Sequence, residues 1–116
     1  MPEPKLAPLP SAAFYILLAL ADEDLHGYAI MRSVSELTGG KVRMGPGTLY
    51  GSIKTLLEGR LIEEVGERAD SGTGPERRRY YRLTSGGRRL ARSEAERLAA
   101  LVRLAQARRF LKGAYV

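Results

Sequence analysis

The chain has 116 residues, with 19 Lys plus Arg against 13 Asp plus Glu, one His, no Cys and no Trp. That length suits one compact domain rather than two, and 44% hydrophobic with 28% charged residues is the balance of a globular chain. Without Cys there is no disulfide, thiol catalysis, iron–sulfur cluster or Cys-bearing zinc site, and a lone His cannot furnish a His-rich metal centre.

The longest apolar run, Ala12 to Ala21, has ten residues, about half of what a bilayer crossing needs. Pro2, Pro4, Pro8 and Pro10 precede it with only Lys5 for positive charge, unlike the start of a signal peptide. The expectation is a cytoplasmic protein with no membrane association, metal or cofactor. The net charge of +6 favours a polyanionic partner, and its distribution is uneven. Residues 1–40 sum to −3, residues 41–92 to +6 and residues 93–116 to +3. The basic excess therefore belongs to the last two-thirds of the chain.

In chain order, residues 1–10 hold four prolines and read as an extended arm. Ser11 is the expected N-cap of a first helix through Ala21, apolar on every side and so buried on more than one face. Asp22-Glu23-Asp24 ends it. A second helix is expected from about Leu25 to Thr38, with Ile30, Val34 and Leu37 as its core stripe and Gly39-Gly40 as its stop. His26 is expected to bond locally at its start. After the basic link Lys41-Val42-Arg43-Met44, Pro46 suits the first turn of a third helix. Leu49, Ile53, Leu56 and Leu57 give that helix an apolar stripe, Thr48, Tyr50, Ser52, Lys54 and Thr55 fall largely opposite, and Gly59 ends it.

Two β-prone segments follow, one from Leu61 to Val65 and one from Arg79 to Thr84, joined by a Gly-rich tip from Gly66 to Arg78. Thr84 or Ser85 should cap a last helix reaching about Leu111. Ala91, Ala95, Leu98, Leu101, Val102 and Ala105 share one face of it, with Glu94 intruding and Leu90, Leu104 and Leu111 at the margins. At about 27 residues and roughly 40 Å, this helix is longer than a small domain can cover, so its surplus stripe needs a partner and a two-fold dimer supplies one.

Three helices followed by a basic hairpin form the order of a winged helix-turn-helix. One helix enters the DNA major groove, the helix before it braces the backbone, and the wing reaches neighbouring phosphates. The fold expected is mainly α (α+β): residues 1–10 an arm, 11–84 a winged helix-turn-helix with a two-stranded wing, and 85–116 a C-terminal dimerisation helix. Lys41, Arg43, Thr48, Tyr50, Lys54, Arg77 and Arg78 are the expected phosphate anchors, while Pro46, Gly47 and Ser52 lie where base edges approach. Leu98, Leu101, Val102, Leu104 and Ala105 are the expected dimer contacts. Double-stranded DNA and a second copy of the chain are thus the expected partners. No nucleophile–base pair or phosphate-binding Gly-rich loop supports catalysis. The rival function is a protein–protein adaptor, since basic wings also bind acidic partners.

His26-Gly27-Tyr28, Leu37-Thr38-Gly39-Gly40, Pro46-Gly47-Thr48-Leu49-Tyr50, Leu61-Ile62 and Arg79-Tyr80-Tyr81-Arg82-Leu83-Thr84 occur in colinear spacing. Together they resemble PadR-family transcriptional regulators over about Leu9 to Leu90, and the C-terminal part resembles the family's short branch with a single dimerising helix. The resemblance implies a homodimeric winged-helix repressor acting on a pseudo-palindromic operator. It gives Thr48 and Tyr50 backbone-contact roles and puts one ring of Tyr80-Tyr81 in the core. It also implies that an effector, where one acts, binds between the first and last helices. Gly45 stands where the family usually has Ser or Asn, and Gly51-Ser52 replaces a Pro plus a small apolar residue. Some members stack flat drugs between tryptophans, which this chain lacks, leaving Phe14 and Tyr15 as candidates to hold a small hydrophobic or aromatic effector.

Overall fold

The computed structural model describes residues 9–69 and 77–112, with the side chains of 67–69 and 77 excepted. Most of the expected arm and of the expected wing tip thus lies outside the described residues. The elements run α1 (Ser11–Ala19), β1 (Leu25–His26), α2 (Gly27–Leu37), α3 (Pro46–Glu58), β2 (Ile62–Ala69), β3 (Arg77–Leu83) and α4 (Ser85–Ala107). The three strands form one antiparallel sheet in the order β1-β3-β2. The fold class is therefore the expected mainly helical winged helix, with a hairpin wing.

The apolar rows read from the sequence meet in one core. Ile16 and Leu17 of α1, Ile30 and Val34 of α2, Leu49 and Leu56 of α3 and Ile62 of β2 are fully buried there. Leu37 does not join them. It is 61% exposed at the last turn of α2, because the helix ends before its third stripe position reaches the core. Pro10, not Ser11, occupies the cap position of α1, which ends at Ala19.

Leu25 and His26 are strand, not the first turn of α2. Leu25 pairs with Tyr81 and His26 with Tyr80. Asp24 fixes this pairing: Arg82 donates Nε to Oδ1 at 3.3 Å and Nη2 to Oδ2 at 3.1 Å, a fork that holds the start of β1 against β3. His26 then turns the chain into α2, its Nδ1 accepting the Ala29 N–H at 3.1 Å as a helix cap.

Three helices end the same way. After α2, the Gly40 N–H reaches the Ser35 carbonyl at 2.7 Å and the Gly39 N–H reaches Glu36 at 3.2 Å, a Schellman stop. After α3, Leu61 bonds Leu56 and Arg60 bonds Leu57 in the same pattern. The left-handed residue there is Arg60, at φ 58°, one place beyond the Gly59 that the sequence suggests as terminator. After α4, Phe110 bonds Ala105 and Arg109 bonds Gln106, with Arg109 at φ 66°. That stop explains why α4 closes at Ala107 rather than at Leu111.

Thr84 joins α4 to the α3–β2 corner. Its hydroxyl accepts the Gly87 N–H at 2.9 Å and shares its one proton between the Arg60 carbonyl at 2.8 Å and the Leu61 carbonyl at 3.0 Å. Gly87 is buried so tightly that a Cβ on it would overlap the Leu61 carbonyl oxygen. Farther along α4, Glu94 is the reverse of an intruder. It is 6% exposed, turned toward the N-terminal end of α1. Arg97 donates Nε to its Oε1 at 2.8 Å and Nη2 to its Oε2 at 2.6 Å, and the Leu9 backbone contributes a further bond. The Arg97 guanidinium foremost, with the Leu9 N–H, holds the Glu94 carboxyl below its ordinary ionisation range against the opposing effect of burial.

Candidate nucleic-acid interface

The link before α3 alternates. Val42 and Met44 pack against the core, so Lys41 and Arg43 turn outward and are exposed. Gly45 at the cap position offers no side chain to the first turn of α3, and Pro46 at its start has no N–H needing one. Pro46, Gly47, Thr48, Tyr50 and Lys54 are all exposed, whereas Ser52 is half-buried beside the core row. Thr55 turns its hydroxyl back to donate to the Gly51 carbonyl at 3.1 Å. The outward chemistry of α3 is therefore that of Thr48, Tyr50 and Lys54, on a helix whose first turn carries no bulk.

Tyr50 lies across the start of α2. A Cβ on Gly27 would stand 2.5 Å from the Tyr50 hydroxyl and 2.9 Å from its Cζ, so the missing side chain of Gly27 is the seat of the phenol. Around that seat, His26, Gly27, Tyr50, Arg78, Arg79 and Tyr81 line a hollow of about 230 Å³. Three elements meet here: the N-terminus of α2, the first half of α3 and the central strand β3. The Tyr81 ring is buried, and that burial raises its phenol above the ordinary range, with the nearby Glu64 carboxylate and Tyr50 adding to the shift and Arg79 opposing it. Tyr81 thus stays a neutral O–H. Two guanidinium groups, two phenols and a helix N-terminus favour an anion. Glu64, 3.9 Å from Arg79, offsets part of that charge.

The structure brings Tyr50 and Arg78 together. Arg43 lines a separate hollow with Tyr28 and Arg32. The Arg77 side chain lies outside the described residues, although its backbone pairs with Ala69. His26, Gly27 and Tyr81 belong to the site without having been selected from the sequence. Their signal was present in the His26-Gly27 and Tyr80-Tyr81 pairs, but only the β1–β3 pairing brings those pairs face to face. His26 meets the Tyr80 ring edge-on, with centroids 5.3 Å apart.

Away from this face, Leu98, Leu101 and Leu104 are exposed along the second half of α4, and Val102 and Ala105 are half-buried. Phe14 and Tyr15 are half-buried on α1. With Leu9, Glu94, Arg97 and Leu98 among their neighbours, they line a hollow of about 240 Å³ between α1 and α4. Among the described residues no helix is long and apolar enough to cross a membrane.

Residues 16–93 match the transcriptional regulator PadR-like family. The chain belongs to that family. Its members are transcriptional regulators, not enzymes. A 37.1 kDa protein of transposon TN4556 from Streptomyces fradiae is 38% identical over 90 residues, which are 78% of this chain. The chain spans only 24% of that protein's length. Among solved structures, a transcriptional regulator from Clostridium thermocellum superposes with a TM-score of 0.70 at 24% identity, over 86% of this chain and 92% of its own. A PadR family regulator from Clostridium difficile superposes at 0.71 with 21% identity, over 84% and 97%. Bacillus subtilis PadR, solved in complex with operator DNA, superposes at 0.62 with 21% identity, over 74% of this chain and 47% of its own. These likenesses carry the fold.

Proposed function

We propose that this family member is a sequence-specific, DNA-binding repressor that acts as a homodimer. The observation that carries the proposal is the meeting of α3, the α2 N-terminus and β3 at one basic hollow, with Tyr50, Arg78 and Arg79 on its walls. An exposed helix face beside such a hollow suits a duplex whose groove admits the helix and whose backbone supplies the anion. The superposition on Bacillus subtilis PadR, which was solved with its operator, supports this use of the fold.

In this proposal residues 11–84 form the reading head, to whose core Leu9 also belongs, and 85–116 the dimerisation helix. Lys41, Arg43, Thr48, Tyr50, Lys54, Arg77 and Arg78 anchor phosphates, and Pro46, Gly47 and Ser52 lie nearest the bases. Leu98, Leu101, Val102, Leu104 and Ala105 meet their counterparts across a two-fold axis, which places two α3 helices about one turn of DNA apart. A small hydrophobic or aromatic effector bound near Phe14 and Tyr15, between α1 and α4, changes the separation of the heads. Repression follows from occupying the promoter in the cytoplasm.

The experiment is an anisotropy titration against the DNA upstream of the chain's own gene and against a random duplex, over a range of salt. The expected result is a steep loss of affinity with salt and a clear preference for the upstream DNA. Binding indifferent to salt, or no stronger than to random duplex, refutes it. Capture of an acidic protein that survives nuclease favours the adaptor instead.

A further inference from the structure

Tyr28 stands 53% exposed in the first turn of α2, too open to be a core residue. It is nevertheless engaged. The Arg32 guanidinium carbon lies over its ring at 5.5 Å from the centroid, and that of Arg78 lies over it at 5.8 Å. Arg32 comes from the next turn of α2, whereas Arg78 comes from β3. Each arginine also lines a different hollow. Arg78 belongs to the one containing Tyr50, and Arg32 to a second of about 280 Å³ whose other walls are Tyr28, Met31, Ser35, Arg43 and Met44.

The second hollow has the chemistry of an anion seat. Arg32 and Arg43 supply its charge, Ser35 supplies a hydroxyl, and among the described residues no carboxylate lines it. Met31 and Met44 are half-buried against the core and form its apolar wall. A guanidinium over an aromatic face keeps the N–H groups along its edge available. Holding it there in advance also reduces the rotamer freedom lost when an anion binds.

We propose that the second hollow receives a backbone phosphate of duplex DNA, and that Tyr28 is a positioning residue fixing Arg32 and Arg78 relative to each other. The wing and α2 then present their charges as one array. The choice of duplex DNA rests on the proposed function, since the hollow joins the α3 face through Tyr28 and Arg78.

The test has a DNA-free arm and a DNA arm. In the free protein, Tyr28→Leu should abolish the ring-current shifts of the Arg32 and Arg78 δ-methylene protons, and Tyr28→Phe should preserve them. Unchanged shifts in Tyr28→Leu would overturn the positioning role regardless of any DNA result. With a random 30-base-pair duplex as probe (a length of about three turns), Arg32→Gln and Arg43→Gln should each reduce the slope of log affinity against log salt by about 1.8, or about 0.9 for each protomer of the bound dimer. Tyr28→Leu should weaken binding by the dimer about 10-fold with its slope unchanged, about 3-fold for each protomer, a size set by exposed cation–π pairs, while Tyr28→Phe binds as wild type. In an Arg32→Gln, Arg78→Gln background, Tyr28→Leu should add nothing. Wild-type binding with an unaltered slope in Arg32→Gln overturns the second seat alone. A wild-type chain that binds no duplex overturns the proposed function and the seat together.

Discussion

Gly86 and Gly87 are consecutive in the first turn of α4, and helix propensity alone predicts that alanine at either would stabilise the fold by up to about 1 kcal/mol. Their surroundings predict opposite signs. A Cβ on Gly86 would meet nothing nearer than 3.8 Å. One on Gly87 would overlap the Leu61 carbonyl oxygen and stand 2.8 Å from Leu83 Cδ1. Because the first of these is backbone, relief requires α4 to move off the start of β2. The movement strains the bonds that Thr84 makes at this corner: its N–H to Leu61 at 3.2 Å, its hydroxyl to Leu61 at 3.0 Å, and the Gly87 N–H to its hydroxyl at 2.9 Å. At about 1 kcal/mol for each bond, less the propensity gain, Gly87→Ala should cost roughly 2–3 kcal/mol. Gly86→Ala should gain about 0.5 kcal/mol. Urea denaturation at a fixed protein concentration measures both. A Gly87→Ala protein as stable as Gly86→Ala would refute the close approach and, with it, the argument from Thr84.

Arg60 occupies the left-handed position at φ 58°. Arg60→Gly should therefore stabilise by about 0.5–1 kcal/mol, the relief of left-handed strain less the larger freedom of glycine in the unfolded chain; a lower urea midpoint would contradict it. The Glu94 carboxyl is lowered by Arg97 and Leu9. Its contribution is thus complete above the unfolded-state pKa and lost as pH falls through the folded one. Wild type should lose more of its melting temperature than Glu94→Gln between neutral pH and about pH 3, and parallel losses would show that the pair adds nothing. Leu101 and Leu104 are 47% and 61% exposed. Sedimentation of Leu101→Arg, Leu104→Arg should give monomers from a dimeric wild type without loss of helical circular dichroism, and an intact dimer would exclude this face. His26→Ala removes the α2 cap and should cost about 1 kcal/mol in urea unfolding; no change would mean that another group caps the helix.

Much of the candidate interface was legible because its signals are local. Thr48, Tyr50 and Lys54 follow from the apolar period of α3, and the outward turn of Lys41 and Arg43 follows from Val42 and Met44 needing the core. The shape of the hollow was not. It depends on Gly27 lacking a side chain where Tyr50 crosses, on residues 23 positions apart in the sequence. Tyr28 was visible within a motif, but its two arginines come from helix and wing, and no spacing rule links them.

The sequence by itself determined the uneven placement of a +6 charge, the absence of Cys and Trp, and the order of helices and hairpin. Those properties depend on composition and on periods of a few residues, which are complete within each segment. Only the tertiary structure decided that Leu25 and His26 are strand, because their hydrogen-bonding partners, Tyr81 and Tyr80, lie far along the chain. It also decided that Glu94 is buried rather than misplaced: Arg97 is a local partner three residues along α4, but the Leu9 N–H that joins it comes from the other end of the chain. Propensity treats Gly86 and Gly87 alike; the Leu61 carbonyl does not.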